Sequence, residues 1–204
     1  MPPADGRTGR CAPLVDVWRI RLDEIKAPPP TAGEAARAAK FHTAILASRY
    51  LAAHGALRAI LARYTTARLD FAVQEKGKPY LRLAPEVRFN LSHSHEVALV
   101  AVALEIEVGV DVEKLRPLPE FAAIAERFFP ATADRPTDEA DFFRCWTRVE
   151  AVLKARGVGL FDSSNDREGE WTLEEIDAGE GFAAAVAAEG TGIAVTVQDY
   201  RGET

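Results

Sequence analysis

The segment Val97-Ala-Leu-Val-Ala-Val-Ala-Leu104 constrains the fold more than any other. It is far too short to span a membrane and offers no polar face to water. Such a run reads as a strand covered on both faces, which needs sheet neighbours beside it and a layer above and below. The chain has 204 residues, enough for one large domain or two small, tightly joined ones with a core that needs no disulfide staples.

On either side of this run the hydrophobic period alternates between that of strands and that of helices. Leu14, Val15, Val17, Ile20 and Leu22 interleave with Asp16, Arg19 and Arg21 and predict a strand. Pro28-Pro29-Pro30 breaks the chain, and Thr31-Ala-Gly-Glu34 fits a capping box. Alanine-rich helical sequence then runs to Tyr64, with interruptions expected near Phe41 and near His54-Gly55. Leu69, Phe71 and Val73, and later Val87, Phe89 and Leu91, predict short strands, with a turn at Lys76-Gly77-Lys78-Pro79. Residues 108–113 predict another strand, and 119–129 and 138–156 predict helices, the second stopped by Gly157. Strands are expected again at 171–176, 182–188 and 193–200. Helices followed by short antiparallel strands thus occur twice, without a visible residue-level repeat. The expected fold class is α+β with two similar α/β lobes, 14–104 and 105–204, after a loose tail at 1–13. The cleft between the lobes is the default site.

Lys plus Arg number 25 against 31 Asp plus Glu, a net charge of −6. That balance supplies no general footprint for nucleic acid or an anionic membrane, so a polyphosphate ligand would have to be met by a few local cations. Two cysteines, Cys11 and Cys145, are too few for a disulfide framework, and residues 1–13 hold no apolar run of signal-peptide length. A soluble, cytoplasmic protein is expected. Sequences of the form G-x-x-x-x-G-K-S/T and G-x-G-x-x-G are absent, so nucleotide-hydrolase and dinucleotide readings have no motif.

In Val108-Gly-Val-Asp-Val-Glu113 the strand period puts Asp111 and Glu113 on one face and the valines on the other. Paired carboxylates repel unless a cation lies between them, and such oxygen ligands suit magnesium. Read alone, the pair equally fits a solvated strand face. In Phe142-Phe-Arg-Cys-Trp-Thr-Arg-Val-Glu-Ala-Val-Leu-Lys154, the residues Phe142, Trp146, Val149 and Leu153 form the expected buried stripe. Glu150 and Lys154 lie one turn apart beside it, as a metal ligand and a phosphate contact or as an ordinary surface pair. Phe89-Asn-Leu-Ser-His-Ser-His95 offers His93 and His95 at zinc-like spacing with nothing placed to complete a tetrahedral site, or serine and imidazole donors for an anion. Arg49 and Arg58, on the alanine-rich helix, are expected to be solvated.

Taken in order, Gly77-Lys78-Pro79, Phe89 to Ser94, Val108 to Glu113 and Trp146 to Lys154 resemble the 4′-phosphopantetheinyl transferase family. The likeness is to its single-chain, pseudo-dimeric form that activates nonribosomal peptide and polyketide synthases, and it runs from Glu34 to Leu160. The resemblance implies transfer of phosphopantetheine from coenzyme A to a serine of an apo acyl or peptidyl carrier protein, with release of 3′,5′-adenosine diphosphate. It implies Mg2+ or Mn2+ held by Asp111, Glu113 and Glu150, with Glu150 also the base toward the serine. Lys154 and His93 would hold the pyrophosphate and Arg49 the 3′-phosphate, while Gly77, Lys78, Pro79, Ser92 and Ser94 match the nucleotide-side loops. A monomer is expected, because one chain already holds both halves of the cleft. The chain departs from the family where Val149 and Val158 replace customary cations, and where Ala131 to Asp134 replaces a glutamate after Arg-Phe-Phe. These departures leave a non-catalytic homologue that binds carrier protein or coenzyme A as the alternative.

Overall fold

The computed structural model describes residues 14–129, 135–158 and 169–202. The expected tail at 1–13 and the departure at 131–134 lie outside the described residues. The elements, in chain order, are β1 (Leu14–Arg21), α1 (Ala32–Ala38), α2 (Ala44–Leu61), β2 (Phe71–Val73), β3 (Pro79–Leu81), β4 (Val87–Ser94) and β5 (Val97–Leu104). They continue with β6 (Val108–Lys114), α3 (Phe121–Phe128), α4 (Glu139–Arg156), β7 (Trp171–Glu175), β8 (Phe182–Glu189) and β9 (Ala194–Tyr200). This is an α+β fold, and no helix among the described residues is long and apolar enough to cross a membrane.

The first sheet has the order β4-β5-β1-β9 and the second β6-β8-β7, while β2 and β3 form a small hairpin. All pairs are antiparallel except β1 with β9. Strand β9, at 194–200, therefore joins the sheet built from 14–104 rather than the strands next to it in sequence.

Strand alternation distributes the apolar residues over both faces of each sheet. Trp18, Ile20, Phe89, Val100 and Val102 pack on Ala52, Ala53, Ala56, Leu57, Ile60 and Leu61 of α2. The opposite face, with Val15, Val17, Val97, Leu99 and Ala101, meets Val108, Val110, Val112, Ala184 and Val186 of the second sheet. The far face of that sheet places Ala185 and Ala187 on Ala151 and Ala155 of α4. The layers are therefore helix, sheet, sheet, helix, and the expectation for Val97–Leu104 holds: every residue of β5 but Leu104 is buried.

Local signals act as read in several places. Thr31 and Glu34 form the capping box, with Thr31 N donating to Glu34 Oε2 at 2.8 Å and Glu34 N to Thr31 Oγ1 at 3.3 Å. Asp138 caps α4, and Gly157 ends it at φ 67°, a conformation that favours glycine. Two expectations fail for tertiary reasons. Helix α2 runs unbroken through His54-Gly55, because Gly55 makes room for a neighbour: a Cβ there would lie 2.7 Å from Pro28 Cδ. The buried stripe of α4 is Phe143, Thr147, Ala151 and Ala155 together with Phe142, while Trp146, Val149 and Leu153 are only partly buried. The partner surface selects small residues over large ones. A Cβ on Gly109 would lie 2.1 Å from Ala151 O and 2.3 Å from Ala155 N, so strand and helix meet backbone to backbone.

Candidate active site

The close approach of α4 to β6 brings helix side chains onto the strand carboxylates. Lys154 Nζ donates to Asp111 Oδ1 at 2.5 Å and to Ser92 Oγ at 3.0 Å, and Ser92 Oγ donates to the same carboxylate oxygen at 2.9 Å. Asp111 is 4% exposed, which excludes the solvated-face reading for it, and its Oδ2 is buried without a hydrogen-bond partner. Glu113 is half-buried and accepts from Ser94 Oγ at 3.2 Å. Burial first, then the Asp111 charge, hold the Glu150 carboxyl above its ordinary value; Glu113 adds to the rise and Lys154 opposes it.

Beside this cluster lies a cleft of 740 Å³ lined by α1, α2, β2, β3, β4 and Lys154. Its walls are apolar at Leu57, Leu69, Phe71, Phe89 and Leu91 and cationic at Arg58 and Lys154. The cleft is thus bounded mainly by residues 31–93, with Lys154 reaching in from α4.

The structure gathers some expected site residues and separates others. Ser92, His93, Pro79 and Lys154 line the cleft, while Asp111, Glu113 and Glu150 lie next to it around Lys154. Lys78 points the other way. Its side chain is 5% exposed, and Nζ donates to Glu107 Oε2 at 2.5 Å, Ala155 O at 2.6 Å and Val108 O at 3.2 Å. Gly77 sits in the β2–β3 turn at φ 96°, away from the cleft lining. Arg49 is not solvated: it forms two bonds to Asp23, at 2.9 and 2.5 Å. Arg58 is likewise held, by Glu34 and by Pro29 O at 2.7 Å. His95 lies past the end of β4 at φ 54°, in the β4–β5 turn, so it does not share a strand face with His93.

Tyr50 and His54 also line the cleft, with Glu34, and the sequence marked the last two only as a helix break and a capping residue. A signal for them exists: Tyr50, His54 and Arg58 follow one another at the helical interval of four and form one face of α2. The Tyr50 and His54 rings meet tilted by 43°, with centroids 4.3 Å apart. Burial pushes the His54 imidazole below its ordinary value; Glu34 pulls the other way, and the charges of His93, Arg58 and Arg37 add to the fall.

The family model described as the 4′-phosphopantetheinyl transferase superfamily matches residues 107–199. The chain is 33% identical over 210 residues to the 4′-phosphopantetheinyl transferase HetI of Nostoc sp. (strain PCC 7120), covering 87% of this chain and 89% of that protein. This chain belongs to the 4′-phosphopantetheinyl transferase superfamily. It is also 31% identical over 144 residues to a protein of Synechocystis sp. (strain PCC 6803) named putative 4′-phosphopantetheinyl transferase slr0495, covering 65% of this chain and 58% of that one. To the transferase Sfp of Bacillus subtilis (strain 168) it is 32% identical over 99 residues, 45% of this chain and 43% of that protein.

No group of three or more His, Cys, Asp and Glu side chains among the described residues is gathered closely enough to hold a metal ion. Carboxylate oxygens are nevertheless the donor type that a hard divalent cation takes. Asp111 Oδ2 is buried and unpartnered, and burial first, then the charges of Asp111 and Glu113, raise Glu150, so a divalent cation beside these acids would offset both costs.

Proposed function

We propose that this chain transfers 4′-phosphopantetheine from coenzyme A to a serine of an apo acyl or peptidyl carrier protein, releasing 3′,5′-adenosine diphosphate. The observation that carries the reading is the Lys154–Asp111–Ser92 cluster beside the cleft, with Glu113 and Glu150 around it. The serine oxygen bonds to the β-phosphorus, the bond from that phosphorus to the bridging oxygen breaks, and the nucleotide leaves with the electron pair. Lys154 lines the cleft, and in this reading its ammonium neutralises pyrophosphate oxygens as charge builds on them. Glu150, its carboxyl raised toward the working pH by burial, takes the serine proton directly or through water. Mg2+ or Mn2+ held by Asp111, Glu113 and Glu150 would supply Lewis-acid stabilisation of the same oxygens. His93 lines the cleft as a further donor to phosphate, and the apolar walls suit a nucleoside.

The reading extends to architecture. We infer an internally duplicated, pseudo-dimeric chain whose halves are 14–104 and 105–204. Supporting it, once the β2–β3 hairpin and the crossing strand β9 are set aside, β1-α1-α2-β4-β5 and β6-α3-α4-β7-β8 share one element order, with β5 between β4 and β1 and β8 between β6 and β7. The alternative, binding without transfer, rested partly on Val149. That side chain packs against the aromatic cluster of Phe129, Phe142 and Phe143, which weakens the alternative.

Intact-mass spectrometry of apo carrier proteins incubated with this chain, coenzyme A and Mg2+ tests the proposal. A gain of one phosphopantetheine, abolished by chelator and lost in Asp111→Ala and Glu150→Gln, is expected. Near-normal turnover in either variant overturns the site assignment, and no gain on any carrier favours binding alone.

A further inference from the structure

The outer edge of β6 is closed by side chains where a neighbouring strand would ordinarily lie. Glu189 N donates to Glu107 O, and Leu115 N donates to Gly181 O. Odd-numbered backbone groups of this segment therefore face β8, and even-numbered ones face away from it. On the outward side, Val110 N donates to Asn90 Oδ1 at 3.0 Å, Val112 N to Ser92 Oγ at 3.4 Å and Lys114 N to Ser94 Oγ at 3.0 Å. The three pairs share one sequence offset of 20 residues, so alternate side chains of β4 mesh with alternate amides of β6 like a comb. Lys78 extends the pattern by donating to Val108 O. Asn90, Ser92 and Ser94 are between 6% and 9% exposed, and a buried amide that loses its acceptor is costly. The comb therefore fixes the register of β6 on β4, and a slip of one residue would turn Asp111 and Glu113 away from α4.

Building on the transferase reading, we propose that Asn90 and Ser94 are positioning residues that act through β6, holding Asp111 and Glu113 at the depth and register where they face Lys154 and Glu150. Ser92 touches Asp111 and Lys154 directly, and Asn90 lines the cleft, so neither separates positioning from contact. Ser94 does, because it lies outside the cleft lining while bonding both Lys114 N and Glu113.

The test compares Ser94→Ala with Ser94→Thr, which keeps the hydroxyl, in the full chain. In Ser94→Ala we expect kcat for carrier modification to fall about tenfold or more with KM for coenzyme A within about twofold. Hydrogen exchange at the Lys114 amide should accelerate about tenfold, and Mn2+ affinity by calorimetry should weaken by a similar factor. Ser94→Thr should restore all three. Unchanged kcat and Mn2+ affinity in Ser94→Ala overturn the proposal, even if exchange at Lys114 quickens, because the bond is then merely structural. If the unsubstituted chain modifies no carrier, the transferase reading fails by itself. Mn2+ affinity in Ser94→Ala still upholds or overturns the positioning role.

Discussion

Residues 14–104, apart from the inserted β2–β3 hairpin, and residues 108–189 both run strand, two helices and two sheet strands, yet their 18-residue helices meet their sheets in opposite ways. Helix α2 presents Leu57, Ile60 and Leu61 to Trp18, Ile20, Phe89 and Val100, so large side chains fill the gap. Helix α4 presents Ala151 and Ala155 to Ala185, Ala187 and Gly109, so there is almost no gap to fill. The consequence is functional. Where the helix stands off, the space beside β4 becomes a cleft large enough for a ligand. Where the helix comes close, Lys154 reaches across to a buried strand aspartate, and Glu150 feels two strand carboxylates. One half supplies room and the other supplies charge.

Adding or removing one carbon in each interface tests that contrast most severely. Gly109→Ala puts a methyl against Ala151 O and Ala155 N, backbone atoms that cannot swing aside. We expect a loss of about 3 kcal/mol, at the upper end for overpacking, together with loss of transfer as α4 moves off β6. Urea unfolding and the carrier mass assay check both outcomes. A stable, active Gly109→Ala would show that the close approach is not what sets the site.

Lys78→Met probes the same seam from its end. The ammonium ties the β2–β3 turn to Val108 O and to Ala155 O near the end of α4, and Glu107 offsets its charge. Burial holds this amine below its ordinary value while Glu107 opposes the fall. Removing it leaves two carbonyls without this donor at a cost of about 2 kcal/mol, read as a lower urea midpoint. Because Lys78 points away from the cleft, KM for coenzyme A should hold while kcat falls. A selective rise in KM would return Lys78 to the nucleotide side.

These two positions show what the sequence could and could not reveal. Strands β1, β5 and β6, the capping box at Thr31 and the stop at Gly157 were legible because each rests on neighbours a few residues apart. Asp111, Glu113, Glu150 and Lys154 were legible as a set from family likeness alone, because their spacing equally fits a solvated strand face and an ordinary surface pair. The burial of Lys78 was not, since its partners lie 29 and more residues away. Nor was the true face of α4: periodicity reports which residues are apolar, while the packing was decided by which are small. Gly55 read as a helix break because Pro28, the neighbour it accommodates, is brought to it only by the fold. Arg58 read as solvated for the same reason, since Glu34 and Pro29 reach it from another element.

The converse change in the first half should be mild. Ile60→Val removes one carbon from the α2 core, where Ile60 is fully buried. About 1 kcal/mol of stability should be lost with kcat unchanged, because α2 positions no group by backbone contact with the carboxylate strand. A fall in kcat as steep as that of Gly109→Ala would erase the distinction between the halves.

The smallest effect concerns His54, the imidazole of α2 that lines the cleft. His54 is held below its ordinary value of 6.5 first by burial, with the charges of His93, Arg58 and Arg37 adding to the fall and Glu34 opposing it. The unfolded chain therefore binds this proton more readily than the folded one. Its contribution to stability is complete above about pH 6.5 and is lost as the pH falls through that value toward the lower folded one. His54→Gln should flatten the dependence of the urea midpoint between about pH 7 and pH 5 and leave the midpoint above pH 7 nearly unchanged. A polyphosphate seated beside His54 would favour the charged imidazole and reverse the sign, so coenzyme A should bind more tightly as the pH falls through the same window. Calorimetry at both pH values reads that reversal, and equal affinity at the two would place the phosphates away from α2, on the α4 side alone.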